Sequence, residues 1–109
     1  MKTLKFTPAL CDKILTGEKT STWRLFDDKD IQTGDELFFV NKVTEKIFGK
    51  ARVTALVEKT LDTLEEKDWV GHEQYDSVEE MYTTYRSYYG EKVGSDSEVK
   101  IIAFAFQPT

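Results

Sequence analysis

Gly17-Glu18-Lys19-Thr20-Ser21-Thr22-Trp23-Arg24 sets a lysine, three hydroxyls, an indole and a guanidinium in eight consecutive residues. The residues before it belong to a short helix: Leu10, Cys11 and Ile14 recur at helical spacing, and Gly17 stands where a left-handed C-terminal cap is wanted. From Lys19 to Leu25 the residues are β-branched and aromatic, which predicts a strand. The segment is therefore a helix-to-strand junction. Side chains alternate along a strand, so Thr20, Thr22 and Arg24 share one face, while Lys19, Ser21 and Trp23 share the other. Lys19 and Thr22 can meet only if Lys19 lies in the turn.

Upstream, Lys2-Thr3-Leu4-Lys5-Phe6 alternates polar and apolar residues as a first strand, and Pro8 ends it. Downstream, Phe26-Asp27-Asp28-Lys29-Asp30 is a polar connection and Thr33-Gly34-Asp35 a turn. Glu36 to Val40 predicts a third strand and Lys46 to Glu58 a fourth, with Gly49 marking a bulge. Thr63-Leu64-Glu65-Glu66 and Ser77-Val78-Glu79-Glu80 both match the capping box, so two helices are expected. In the second, Val78, Met81, Tyr82, Tyr85, Tyr88 and Tyr89 form one stripe, whose tyrosines invite an RNA-stacking reading but are read first as a core face with polar tips, and Gly90 stops it. Glu98 to Gln107 closes the chain as a nearly continuous apolar strand. The order β-α-β-β-β-α-α-β around one small twisted sheet suits a barrel.

The 109 residues are expected to form one domain spanning 1–109, an α+β fold with one core and one site. No apolar run approaches the ~20 residues of a spanning helix, and the first residues lack a secretory signal, so a cytoplasmic protein without a membrane partner is expected. Cys11 and His72 are each alone of their kind and offer no metal-ligand spacing, so no metal and no cofactor are expected. The net charge of −5 argues against a long nucleic-acid track, though not against a nucleoside or a short single strand in a local basic pocket.

A lysine whose proton affinity is lowered by burial or a neighbouring cation can act as a general base, and a threonine hydroxyl within its reach can become a nucleophile. Arg24 can bind a phosphate, a carboxylate or a carbonyl oxygen. The competing reading leaves Lys19 and Arg24 solvated, Thr20 and Thr22 present for strand propensity, and Trp23 in the core.

The pattern Gly17-x-Lys19-x-x-Thr22-x-Arg24, followed by Thr33-Gly34-Asp35, Leu37 and Leu61-Asp62-Thr63-Leu64, resembles the ASCH domain, a branch of the PUA-like superfamily. The likeness runs from Lys5 to Phe106. It implies a β-barrel of five or six strands with short flanking helices and a cleft for RNA or a modified nucleoside. Small bacterial single-domain members known as N(4)-acetylcytidine amidohydrolases are similar in length and use a Lys, a Thr and a Glu. Lys19 and Thr22 fall on the first two positions without a gap. Glu73 is taken for the third across an insertion or deletion, with Glu65, Glu66 and His72 close by. His72 can also be an acid-base group on generic grounds, or a structural or exposed residue.

The chemistry implied is amide hydrolysis. The Thr22 hydroxyl or a water attacks, Lys19 accepts the proton, and Glu73 orients the lysine or protonates the leaving nitrogen. Arg24 or a backbone amide after Gly17 is placed to steady the oxyanion, and Trp23, Trp69 or Tyr75 to stack on the pyrimidine. Two other classes remain: a non-catalytic RNA-binding module, and a metal-independent ribonuclease drawing on Lys19, Arg24, Lys50 and Arg52. The partner is a modified nucleoside or short single-stranded RNA, and the protein is expected to be a monomer or weak dimer. Lys19→Ala and Thr22→Ala are expected to abolish turnover with the melting temperature nearly unchanged.

Overall fold

The computed structural model describes residues 1–109. The chain runs β1 (Lys2–Phe6), α1 (Pro8–Leu15), β2 (Ser21–Leu25), β3 (Glu36–Asn41), β4 (Ile47–Thr60), α2 (Val78–Tyr89) and β5 (Glu98–Pro108), with two turns of 3-10 helix, Leu61–Thr63 and Glu66–Trp69, between β4 and α2. The strands form one sheet in the order β1-β3-β4-β5-β2. Only β1 and β3 are parallel; every other pairing is antiparallel.

The sheet curls because its long strand β4 is bulged twice. Phe39 pairs with Gly49 and Val40 with Ile47, which leaves Phe48 as the extra residue, and a second shift falls between Val53 and Ala55. Gly49 is required there by space. A Cβ at Gly49 would lie 2.2 Å from the Phe106 ring and 2.6 Å from the Gln107 carbonyl oxygen. Phe106 in turn packs against Phe39 and Phe48. Gly49→Ala is therefore expected to lower stability by about 1–3 kcal/mol through overpacking, read as a lower melting temperature.

Adjacent residues of β5 serve different cores. Ile102 and Phe104 join Leu4, Phe39 and Val53 with Cys11 and Ile14 of α1, whereas Val99 and Ile101 join Trp23, Leu25, Met81 and Tyr85. Alternation on a sheet buried on both faces is why β5 reads as a continuous apolar run.

The barrel expected from the resemblance is realised as five strands in an open half-barrel. β1 and β2 are the two ends of the sheet and have no ladder between them. Across this seam the Arg24 guanidinium donates from Nη2 to the Lys5 carbonyl oxygen at 2.8 Å and lies 4.8 Å over the Phe6 ring.

Three sequence expectations change. β2 begins at Ser21 rather than Lys19, so Lys19 lies in the turn. The box at Thr63 starts no α-helix: the Asp68 carboxylate accepts from the Glu65 amide at 2.8 Å and from Lys59 Nζ at 2.7 Å, which closes a single 3-10 turn, and Gly71 turns the chain soon after. The box at Ser77 does cap α2, its hydroxyl accepting from the Glu80 amide at 3.1 Å, but Val78 is 67% exposed and no part of a core face.

Candidate active site

The open seam is a cleft of about 200 Å³ between the ends of β1 and β2, roofed by α2 and the loop 70–77. Lys19, Thr22, Trp23 and Arg24 line it from the junction, and His72, Glu73 and Tyr75 from the loop.

Lys19 is placed by two backbone devices. Gly17, at φ +83, reverses the chain after the α1 cap, and the Lys19 amide then donates to the Lys13 carbonyl at 3.0 Å. The next two amides, of Thr20 and Ser21, both donate to the Gly71 carbonyl, at 2.8 and 3.0 Å. One carbonyl thus ties the free edge of β2 to the loop that carries His72 and Glu73. Further along that edge, the Tyr89 hydroxyl receives the Leu25 amide at 3.3 Å.

Lys19 is 2% exposed and donates from Nζ to Glu73 Oε1 at 2.7 Å. Burial lowers its proton affinity below the ordinary lysine value, with the Glu73 carboxylate acting against that and Arg24 and Lys13 with it. Burial alone would raise the Glu73 pKa, but hydrogen bonds and charges from His72 and Lys19 outweigh it and hold the carboxyl down at about 2. Glu73 is therefore ionised in the resting site. His72 Nε2 lies 2.7 Å from the same Oε1, and the imidazole stacks on Trp23 with centroids 4.0 Å apart. The Thr22 hydroxyl has no hydrogen-bond partner in the protein, and the residue is 4% exposed on the cleft wall.

The other residues singled out in the sequence divide. Arg24 lines the cleft but spends Nη2 on Lys5, and its Nε is buried without a partner. Trp23 reaches the cleft at 2% exposure with a face covered by His72, which leaves little ring for a base to stack on. Trp69 lies behind the wall, 4.5 Å from Trp23 at 64°, and Gly17 is exposed at the cap, so neither lines the cleft. Glu65 is exposed and pairs with Lys59 and Lys67, Glu66 is exposed in the same turn, and Lys50 and Arg52 line a separate shallow depression on the sheet.

Sequence reasoning ranked the aromatic wall second, preferring a core face to RNA stacking for the tyrosine stripe. Tyr85, Tyr88 and Tyr89 line the cleft, and Tyr88 is 48% exposed, so the stripe read as a core face serves as core only through Met81 and Tyr85. It missed Lys42, whose ammonium lies 5.9 Å from the Tyr88 ring. In a chain of net charge −5 the cleft holds four Lys and Arg residues against one carboxylate, Glu73.

No family model and no curated protein matches this chain. Solved structures do. The ASCH protein of Zymomonas mobilis superposes with a TM-score of 0.69 at 16% identity, over 97% of this chain and 68% of that one. The ASCH domain of Lactobacillus crispatus gives 0.68 at 17%, over 93% and 72%. The hypothetical protein PH0355 gives 0.72 at 23%, over the whole of both chains. The chain has the fold of these ASCH-domain structures.

Proposed function

We propose that the chain is a metal-independent amidohydrolase acting on an N-acylated pyrimidine nucleoside such as N(4)-acetylcytidine. The observation that carries this reading is the buried Lys19 ammonium held 2.7 Å from Glu73 in the cleft that Thr22 lines. Burial brings the lysine toward the free amine that a general base needs, and Glu73 fixes its direction. The amine takes a proton from water or from the Thr22 hydroxyl as that oxygen attacks the acyl carbonyl. The tetrahedral intermediate then breaks its C–N bond, and the proton passes from Lys19 to the leaving nitrogen. Water attack releases acetate and cytidine directly; Thr22 attack gives an acetyl ester that a water then hydrolyses. At about 200 Å³ the cleft is smaller than the ~300–1,000 Å³ of sites that enclose a drug-sized ligand, which suits the acylated base with its ribose in the open mouth.

The test is release of cytidine from N(4)-acetylcytidine. Thr22→Val keeps the shape and strand propensity but removes the hydroxyl. It is expected to fold with an unchanged melting temperature and to lose ~100-fold or more in kcat/KM. Full activity in Thr22→Val would remove Thr22 from the reaction. A second reading, binding or metal-independent cleavage of short single-stranded RNA, is favoured by Arg24 and Lys42 beside the exposed Tyr88. Strand cleavage or RNA affinity without acetylcytidine turnover selects it.

A further inference from the structure

His72 contributes more to this site than packing, and the argument rests on the reading of Lys19 as base. Its Nδ1 lies 2.8 Å from the backbone carbonyl oxygen of Glu73, which can only accept. Its Nε2 lies 2.7 Å from Glu73 Oε1. Burial lowers the proton affinity of the ring below the ordinary histidine value, so the neutral imidazole has one proton for these two acceptors. The ionised carboxylate is the stronger acceptor, so that proton sits on Nε2 and donates to Oε1.

Lys19 Nζ is 2.7 Å from that same Oε1. Two donors therefore divide one carboxylate oxygen. One added proton, on either His72 or Lys19, makes the trio neutral; protons on both leave a net positive charge among side chains that are 2% exposed for the two donors and 13% for Glu73. Burial disfavours that state and lowers the proton affinity of both donors. The two protonations compete. The other groups facing the imidazole add no charge: the Tyr85 hydroxyl from α2, 3.3 Å from Nε2, the Tyr75 phenol from the loop, and the Trp23 and Trp69 rings. Burial holds both phenols in their neutral form.

We propose that His72 is a positioning residue which, by holding a proton against Glu73 Oε1, withdraws countercharge from Lys19 and keeps the lysine amine free to act as the base. The sequence neighbour of the carboxylate thereby tunes a group that lies 54 residues from Glu73.

His72→Phe tests this, because it keeps a flat ring against Trp23 and removes both nitrogens. Glu73 then belongs to Lys19 alone. The acid limb of kcat/KM for N(4)-acetylcytidine is expected to move to higher pH by about one unit, about tenfold in rate at a fixed pH on the limb, with KM unchanged. A limb that stays in place while kcat falls overturns the proposal.

A reading without substrate separates this from the amidohydrolase assignment. Nitrogen NMR of the imidazole is expected to show Nε2 protonated near neutral pH and bare in Glu73→Gln, a variant usable even if His72→Phe does not fold. Carbon NMR of Lys19 is expected to show its titration moving upward in His72→Phe. An Nε2 that is bare in the wild-type protein, or a Lys19 titration that does not move, overturns the proposal. These NMR shifts in a protein that releases no cytidine would support the division of charge and remove the amidohydrolase reading.

Discussion

Lys19→Ala is expected to lower kcat/KM by ~10²–10⁴-fold, the ordinary contribution of a positioned general base. The sequence alone suggests that such a variant keeps its melting temperature, and burial reverses that expectation. Lys19 is 2% exposed and half of a 2.7 Å ion pair. Its removal leaves Glu73 partly uncompensated in a buried place and opens a void beside it. Because His72 still holds Oε1, the loss should fall at the low end for breaking a buried pair, about 3 kcal/mol. The check is a thermal melt beside the kinetic assay. A cycle with Glu73→Gln should show strong coupling between the two residues in both. Independent, additive losses would mean that the pair does not act as a unit.

Gly71→Ala should damage the site from outside it. Gly71 sits at φ +75, and an added Cβ would lie 2.1 Å from Thr20 Oγ1. The backbone conformation alone costs about 1–2 kcal/mol for an L side chain. A turn of the Thr20 side chain clears Oγ1 but leaves the Thr20 Cβ at 3.3 Å and the Ser21 amide nitrogen at 3.4 Å, and the Gly71 carbonyl receives the Thr20 and Ser21 amides there. The strained turn and the remaining crowding favour lifting the loop from the edge of β2, which carries His72 and Glu73 away from Lys19. A displacement of about 1 Å can cost ~100-fold in rate, so kcat/KM is expected to fall at least that far, with a lower melting temperature. An unstable but fully active variant would show that the tether positions nothing.

These expectations come from parts of the molecule that differ in how plainly the sequence reveals them. β1, α1 and α2 follow local periods and caps, and Thr7-Pro8, Gly17, Ser77 and Gly90 sit at helix ends where backbone chemistry wants them. The position of Lys19 in the turn follows from Gly17 and from the amide bond to Lys13, neither of which strand propensity registers. The first capping box misleads because Asp68, drawn in by Lys59, satisfies the turn that Thr63 was expected to open. The tyrosine stripe misleads for a different reason. Helical spacing identifies a face but not what lies opposite it, and Tyr88 faces the seam that β1 and β2 leave open. The 54-residue separation of Lys19 from Glu73 lies outside any local pattern, and only the likeness to the ASCH domain pointed to that carboxylate. His72 was visible as the one histidine of the chain, but its role depends on the carbonyl and carboxylate it faces.

The central claim is that a buried lysine, drawn toward its free amine, hydrolyses an acylated pyrimidine nucleoside in this seam. It is tested most directly by cytidine release from N(4)-acetylcytidine as a function of pH, with Lys19→Ala as the control. The free amine accumulates as pH rises through the lysine's pKa, and burial places that pKa below the ordinary lysine value of 10.5. Turnover is therefore expected to rise along a limb centred below 10.5 and to be lost in the variant at every pH. Turnover retained in Lys19→Ala, or no cytidine from the wild-type protein at any pH, would contradict the account.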